Sequence, residues 1–229
     1  MKRRKVANYV KKQSKSLPEY KIGAFQVLVK DPITSDIDIR SVFGEINVSL
    51  PDKYLDLLDI VYIGDFSFLN EKETNALYMD GAIYISNEQD DDEDLKDDIV
   101  HEISHAVEEK YGEFIYSDGN IEDQFLLKRN KLKQLLQHQN YDVDEYDFLQ
   151  TEYNEKFDFF LHKNIGYDAL RILTVDLFLA PYSITSLREY FARGFEEYYI
   201  GNKLYLKEIC PYINKKLRSL EQEINNYEF

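Results

Sequence analysis

The stretch DLKDDIVHEISHAVEEKY, Asp94 to Tyr111, reads as one amphipathic helix. Leu95, Ile99, Ile103, Val107 and Tyr111 recur every four residues and, widened by Val100 and Ala106, form a buried stripe. Asp94, Asp97 and Asp98 complement the positive end of the helix dipole, and Gly112 is the expected stop after the last turn. Inside this helix His101-Glu102-Ile103-Ser104-His105 fits H-E-x-x-H. Imidazoles four residues apart project from one face at about 6 Å and can each give a nitrogen to a single zinc ion at roughly 2.0–2.1 Å. Glu102, offset by about 100° on the helical wheel, falls beside the ion and suits a general base acting on a water whose pKa zinc lowers to about 7. The chain has only four histidines, so the pattern arises by chance in roughly one such chain in a hundred.

Upstream, residues 17 to 87 mix strand and helix signals. Ala24 to Lys30 (AFQVLVK) and Asp59 to Gly64 (DIVYIG) are short β-branched or aromatic runs with turn formers at their edges. Pro51 opens PDKYLDLLD, with Tyr54, Leu57 and Leu58 at helical spacing. In Ala76 to Ser86 (ALYMDGAIYIS) the dipeptide Asp80-Gly81 is a two-residue hairpin turn followed by an extended run. Glu88 to Asp94 is almost wholly acidic and reads as a solvated cap region ahead of the motif helix.

Downstream, helical periodicity runs from about Ile121 to Phe178. Stripes of Phe125, Leu126, Leu132, Leu135 and Leu136, then Phe157, Phe160 and Leu161, are interrupted by NYDVDEYD into a hairpin. A further helix is expected from Thr185 to Ile200, closed by Gly201, and then a terminal amphipathic helix.

The chain's 229 residues suit one domain, or one domain with a helical elaboration. Hydrophobic residues at 44% and charged residues at 31% describe a soluble globular class, and no apolar run approaches the roughly 20 residues of a membrane span. After MKRRK comes VANYVKKQSKS, without the apolar region of a signal peptide, so a cytoplasmic or virion-associated location is expected. The lone Cys210 makes no internal disulfide and fits a reducing compartment. Seven of the 28 Lys and Arg fall in residues 1–16, leaving 21 against 43 acidic residues and a net −22 in the remainder. So acidic a body argues against nucleic acid as the main partner, and the basic tail reads as a frayed terminus. Abundant Tyr, Phe, Ile, Asn and Lys with no Trp is a composition that AT-rich genomes write, as in many phages.

A zinc site needs a third protein ligand. The three-histidine metzincin pattern would need His at position 111, which is Tyr111. His138 and His162 sit in helical stripes without partners at metal spacing and read as surface or core-edge histidines. Among carboxylates Glu189, in SLREYFARGFEEYY, stands out, with Glu196 and Glu197 as weaker candidates; Glu189 equally fits a capping box with Ser186.

Tyr182-x6-Glu189-x-Phe191-Ala192, downstream of H-E-x-x-H, resembles the signature of the anthrax lethal factor-like zinc metallopeptidases, a gluzincin group that includes the Pro-Pro endopeptidases. The resemblance covers about residues 55–112 and 180–200. It implies an α+β, zincin-like metallopeptidase domain binding one Zn2+ through His101, His105 and Glu189. Glu102 is then the catalytic base and Tyr182 the donor to the oxyanion, a role that contributes roughly 3–4 kcal/mol. It also implies an edge strand pairing with extended peptide, a place that Ala82, Ile83, Tyr84 and Ile85 occupy here. Two departures stand out. From His105 to Glu189 is several tens of residues longer than the family's usual connection, and Arg193 replaces an acidic residue that often follows the alanine.

The expected organisation is a basic tail (1–16) and one zincin-like domain (17–229). Within that domain residues 17–115 form a mixed α/β part, 116–180 an inserted helical hairpin, and 181–229 the third-ligand helix and a last helix. The expected function is zinc-dependent hydrolysis of peptide bonds in a peptide or protein substrate, without a membrane partner. The alternative is a structural or virion-associated protein that keeps the zinc fold without catalysis. Specificity, including any preference for proline, and oligomeric state do not follow from the residues.

Overall fold

The computed structural model describes residues 18–34 and 36–226, so the basic tail lies outside the described residues. The chain is a mixed α+β structure. It divides into two compact units, Met1–Val107 and Glu108–Phe229, with the division inside the motif helix.

The first unit is built on a five-stranded sheet of order β1-β2-β3-β5-β4. Strands β2 (Phe25–Val29), β3 (Ile60–Ile63) and β5 (Ala82–Ile85) run parallel; β1 (Glu19–Ile22) and β4 (Ala76–Met79) add antiparallel to β2 and β5. Between β2 and β3 lie α1 (Ile39–Ser49), which the sequence reading did not single out, and α2 (Asp52–Leu55). Asp38 caps α1 by accepting from Arg40 N and Ser41 N at 3.0 and 3.1 Å. The helix expected from Pro51 is a single turn, with Pro51 at its cap position. Helix α3 (Ser67–Lys72) follows β3. Asp80 and Gly81 take φ of 53° and 82°, the two left-handed positions of a type I′ turn, and close the β4–β5 hairpin as their types demand.

That hairpin corrects the edge position expected for Ala82 to Ile85. Ala82, Ile83, Tyr84 and Ile85 lie inside the sheet, hydrogen-bonded to β3 on one side and β4 on the other, so the edge is β4. A strand covered on both faces is continuously apolar. AIYI is such a run, buried at all four positions, whereas ALYM ends in the exposed Met79. Register places Tyr62 beside Tyr84, and their rings stack at 5.1 Å; Phe66 and Phe68 meet Tyr84 edge-on at 5.4 and 5.3 Å.

Helix α4 (Asp92–Tyr116) carries the motif and runs through both units. Gly112 does not stop it. The four-residue stripe continues to Ile115, which is fully buried, and burying an Ile (about 1.5–3 kcal/mol) outweighs an interior Gly (about 1 kcal/mol). At its start Asp91 accepts from Asp94 N at 2.9 Å, Asp94 from Asp90 N at 3.3 Å, and Asp92 from Asp38 N at 2.9 Å, so the acidic segment acts as a cap.

The second unit is helical: α5 (Asn120–His138), α6 (Glu155–Phe159) continuing into a π-helical turn (Phe160–Ile165), α7 (Tyr167–Leu173), a 3-10 turn (Tyr182–Ile184), α8 (Leu187–Tyr199), α9 (Lys203–Ile209) and α10 (Pro211–Asn226). The expected hairpin has one continuous arm and one broken arm. Residues 139–154 between them are held down by Arg129, a buried guanidinium that donates to the Gln150 carbonyl and, at 3.2 Å, to that of Asp147. Within this unit α8 meets the end of α4 through Tyr116–Phe191 rings at 6.2 Å and Arg188–Glu108 at 3.6 Å. Among the described residues no helix is long and apolar enough to cross a membrane.

Candidate metal centre

In the first unit, the helical repeat of α4 brings His101, Glu102 and His105 together, with one potential ligand atom from each lying within 4.8 Å of the others. The two imidazole rings stand 4.8 Å apart, edge to face. Glu102 and His105 are only 6% and 5% exposed, and His101 is partly exposed. The two imidazoles are nitrogen donors of the kind that suit zinc, and the Glu102 carboxylate lies beside them. Side chains grouped in this way could hold a metal ion.

Glu102 is tied to the sheet. Its Oε2 accepts from the main-chain N–H of Tyr78, in β4, at 2.5 Å. One turn before His101, burial pushes the Asp98 carboxyl up to about 7; the hydrogen bond from Gln89 and the charge on His101 pull it down, and Asp94 and Glu102 push it up. Gln89 Nε2 reaches Asp98 Oδ2 at 3.1 Å and itself lies buried at 4% exposure.

The other candidates lie in the second unit. Ser186 caps α8 by accepting from Glu189 N at 3.1 Å, which puts Glu189 in the first turn as the capping-box spacing requires. Tyr182 opens the 3-10 turn before α8 and is 44% exposed. Glu196 and Glu197 form ion pairs with Arg193, the latter at 3.5 Å, so this arginine neutralises the two weaker ligand candidates. His138 and His162 are exposed; His162 stacks on Tyr167 at 4.9 Å.

Sequence reasoning passed over three features. The Tyr78 N–H carries no side-chain signal. Asp98 shows in the sequence only as a charge near the helix start, because its partial burial is a tertiary property. Asp158, on α6, accepts from Tyr153 at 2.8 Å and Tyr167 at 3.0 Å. Burial and then Asp158 push Tyr153 up to about 12, with a smaller contribution from Glu189. Tyr167 is raised by burial and Asp158, with Tyr182 adding to the effect, so the broken arm places this cluster in the electrostatic neighbourhood of Tyr182 and Glu189. No sequence pattern flags that trio.

Comparison with protein-family models, with curated proteins and with solved structures finds no match.

Proposed function

We propose that the protein is a zinc-dependent metallopeptidase with a zincin-like fold. The observation that carries this reading is the grouping of His101, Glu102 and His105 on one helix, with the Glu102 carboxylate bonded to the edge strand of the sheet. A site kept only to hold a metal has no use for a buried carboxylate between two ligands and against a sheet edge.

His101 and His105 would each hold the ion through a ring nitrogen, and the reading assigns Glu189 as the third ligand. When bound, zinc supplies Lewis acidity and a water acidic enough to ionise near neutral pH. Glu102 accepts the proton of the attacking water and returns it to the departing amide nitrogen. Tyr182 donates its hydroxyl to the oxygen on which charge develops. In this reading an extended peptide adds along the β4 edge, not along β5.

The test is digestion of a peptide library alongside elemental analysis. Glu102→Gln is expected to keep one zinc per chain and abolish cleavage, and Glu189→Ala to lower zinc content. Zinc loading without cleavage by the wild-type chain would instead favour the non-catalytic reading. Full cleavage by Glu102→Gln would sink the mechanism.

A further inference from the structure

The hydrogen-bonding pattern of the β4–β5 hairpin determines which way Tyr78 points. Ser86 N donates to Asn75 O at 2.7 Å, so Asn75 directs its main-chain groups towards β5. By strand alternation Leu77 and Met79 do the same, while Ala76 and Tyr78 turn theirs outward from the edge. Outward groups of this strand meet side chains: Ala76 O accepts from Thr74 Oγ1 at 3.1 Å, and Tyr78 N–H donates to Glu102 Oε2 at 2.5 Å.

A glutamate side chain has three rotatable bonds, and fixing it is costly in entropy. A buried carboxylate also needs a donor to offset desolvation. A main-chain N–H on a strand meets both needs, because it is rigid and its bond to a carboxylate is charge-assisted. We propose that the Tyr78 main-chain N–H is the positioning donor of Glu102, anchoring Oε2 so that Oε1 is the oxygen that carries the proton. The catalytic part of this inference rests on the metallopeptidase reading; the anchoring does not. Two consequences follow. Position 78 needs a main-chain N–H whatever its side chain, so proline is the residue it cannot take. A peptide laid along β4 finds the Tyr78 N–H already engaged.

Amide exchange and kinetics on the full chain test this separately. In metal-free protein the Tyr78 amide is expected to be protected despite facing outward, and Glu102→Ala to speed its exchange about tenfold or more. Unchanged exchange in Glu102→Ala overturns the proposal. In the zinc-loaded protein Tyr78→Pro is expected to lower kcat by about 10- to 100-fold relative to Tyr78→Ala, with KM and zinc stoichiometry matching that variant. Proline is tolerated on a sheet edge where the N–H lies outside the ladder. A rise in KM in place of the loss in kcat would mean that the N–H serves substrate, and overturns the assignment. Should Tyr78→Pro fail to fold, the exchange measurement decides. If the wild-type chain cleaves no peptide, the metallopeptidase reading fails, and exchange alone still decides the Tyr78–Glu102 anchor.

Discussion

Replacing Asp98 with Asn should alter the pH dependence of stability in a direction the structure dictates. In the folded chain the Asp98 carboxyl keeps its proton to about pH 7, against an ordinary value of 3.8, chiefly because its partly buried position disfavours the charged form. A folded pKa above the unfolded one means that the group's contribution is full below about pH 4. It falls as pH rises and is lost on passing through 7. About three units at 1.36 kcal/mol each set an upper limit of about 4 kcal/mol on that loss. Asparagine has the same shape, can still accept from Gln89 Nε2, and never ionises. Wild type and Asp98→Asn should therefore converge below about pH 4, with the variant ahead by up to about 4 kcal/mol at pH 8.5. The assay is urea unfolding of metal-free protein in chelator at several pH values. At about 2 kcal/mol per molar urea, the midpoints should separate by up to about 2 M at the alkaline end. Parallel profiles from pH 4 to 8.5 would refute the reasoning, because the carboxyl would then titrate alike in both states.

Ser186→Ala removes the cap that accepts from Glu189 N and should cost about 1 kcal/mol in thermal or denaturant unfolding; an unchanged midpoint would show that the cap contributes nothing. Gly194→Ala would bring a Cβ to 2.7 and 2.8 Å from Ile213 Cγ2 and Cδ1. Overpacking of about 1–3 kcal/mol then exceeds the roughly 1 kcal/mol helix gain, and Ile213→Ala in the same chain should relieve the difference in a double-mutant cycle. Additive effects would locate the strain elsewhere. Tyr182→Phe should keep zinc content and thermal midpoint while lowering kcat about 100- to 1,000-fold, and an unchanged rate would remove Tyr182 from the site.

Local chemistry determined much of this protein. The four-residue apolar stripe specified α4, the Asp80-Gly81 pair specified the hairpin turn, and the i, i+4 spacing brought His101 and His105 together with Glu102 beside them. Each depends on a few neighbouring residues and the periodicity of one element, so each was legible in the chain. Strand order was not. Whether AIYI or ALYM takes the edge depends on pairing with β3, some twenty residues earlier, and a local reading puts AIYI at the edge where the sheet has ALYM. Gly112 shows the same limit, since its stop signal was outweighed by burial of Ile115. The raised carboxyl of Asp98 and the Tyr78 N–H beneath Glu102 arise from burial and from a main-chain group that every residue except proline carries. The sequence named the side chains proposed to do chemistry; only the tertiary structure decided which backbone atom holds the Glu102 carboxylate, because that depends on two distant segments meeting in space.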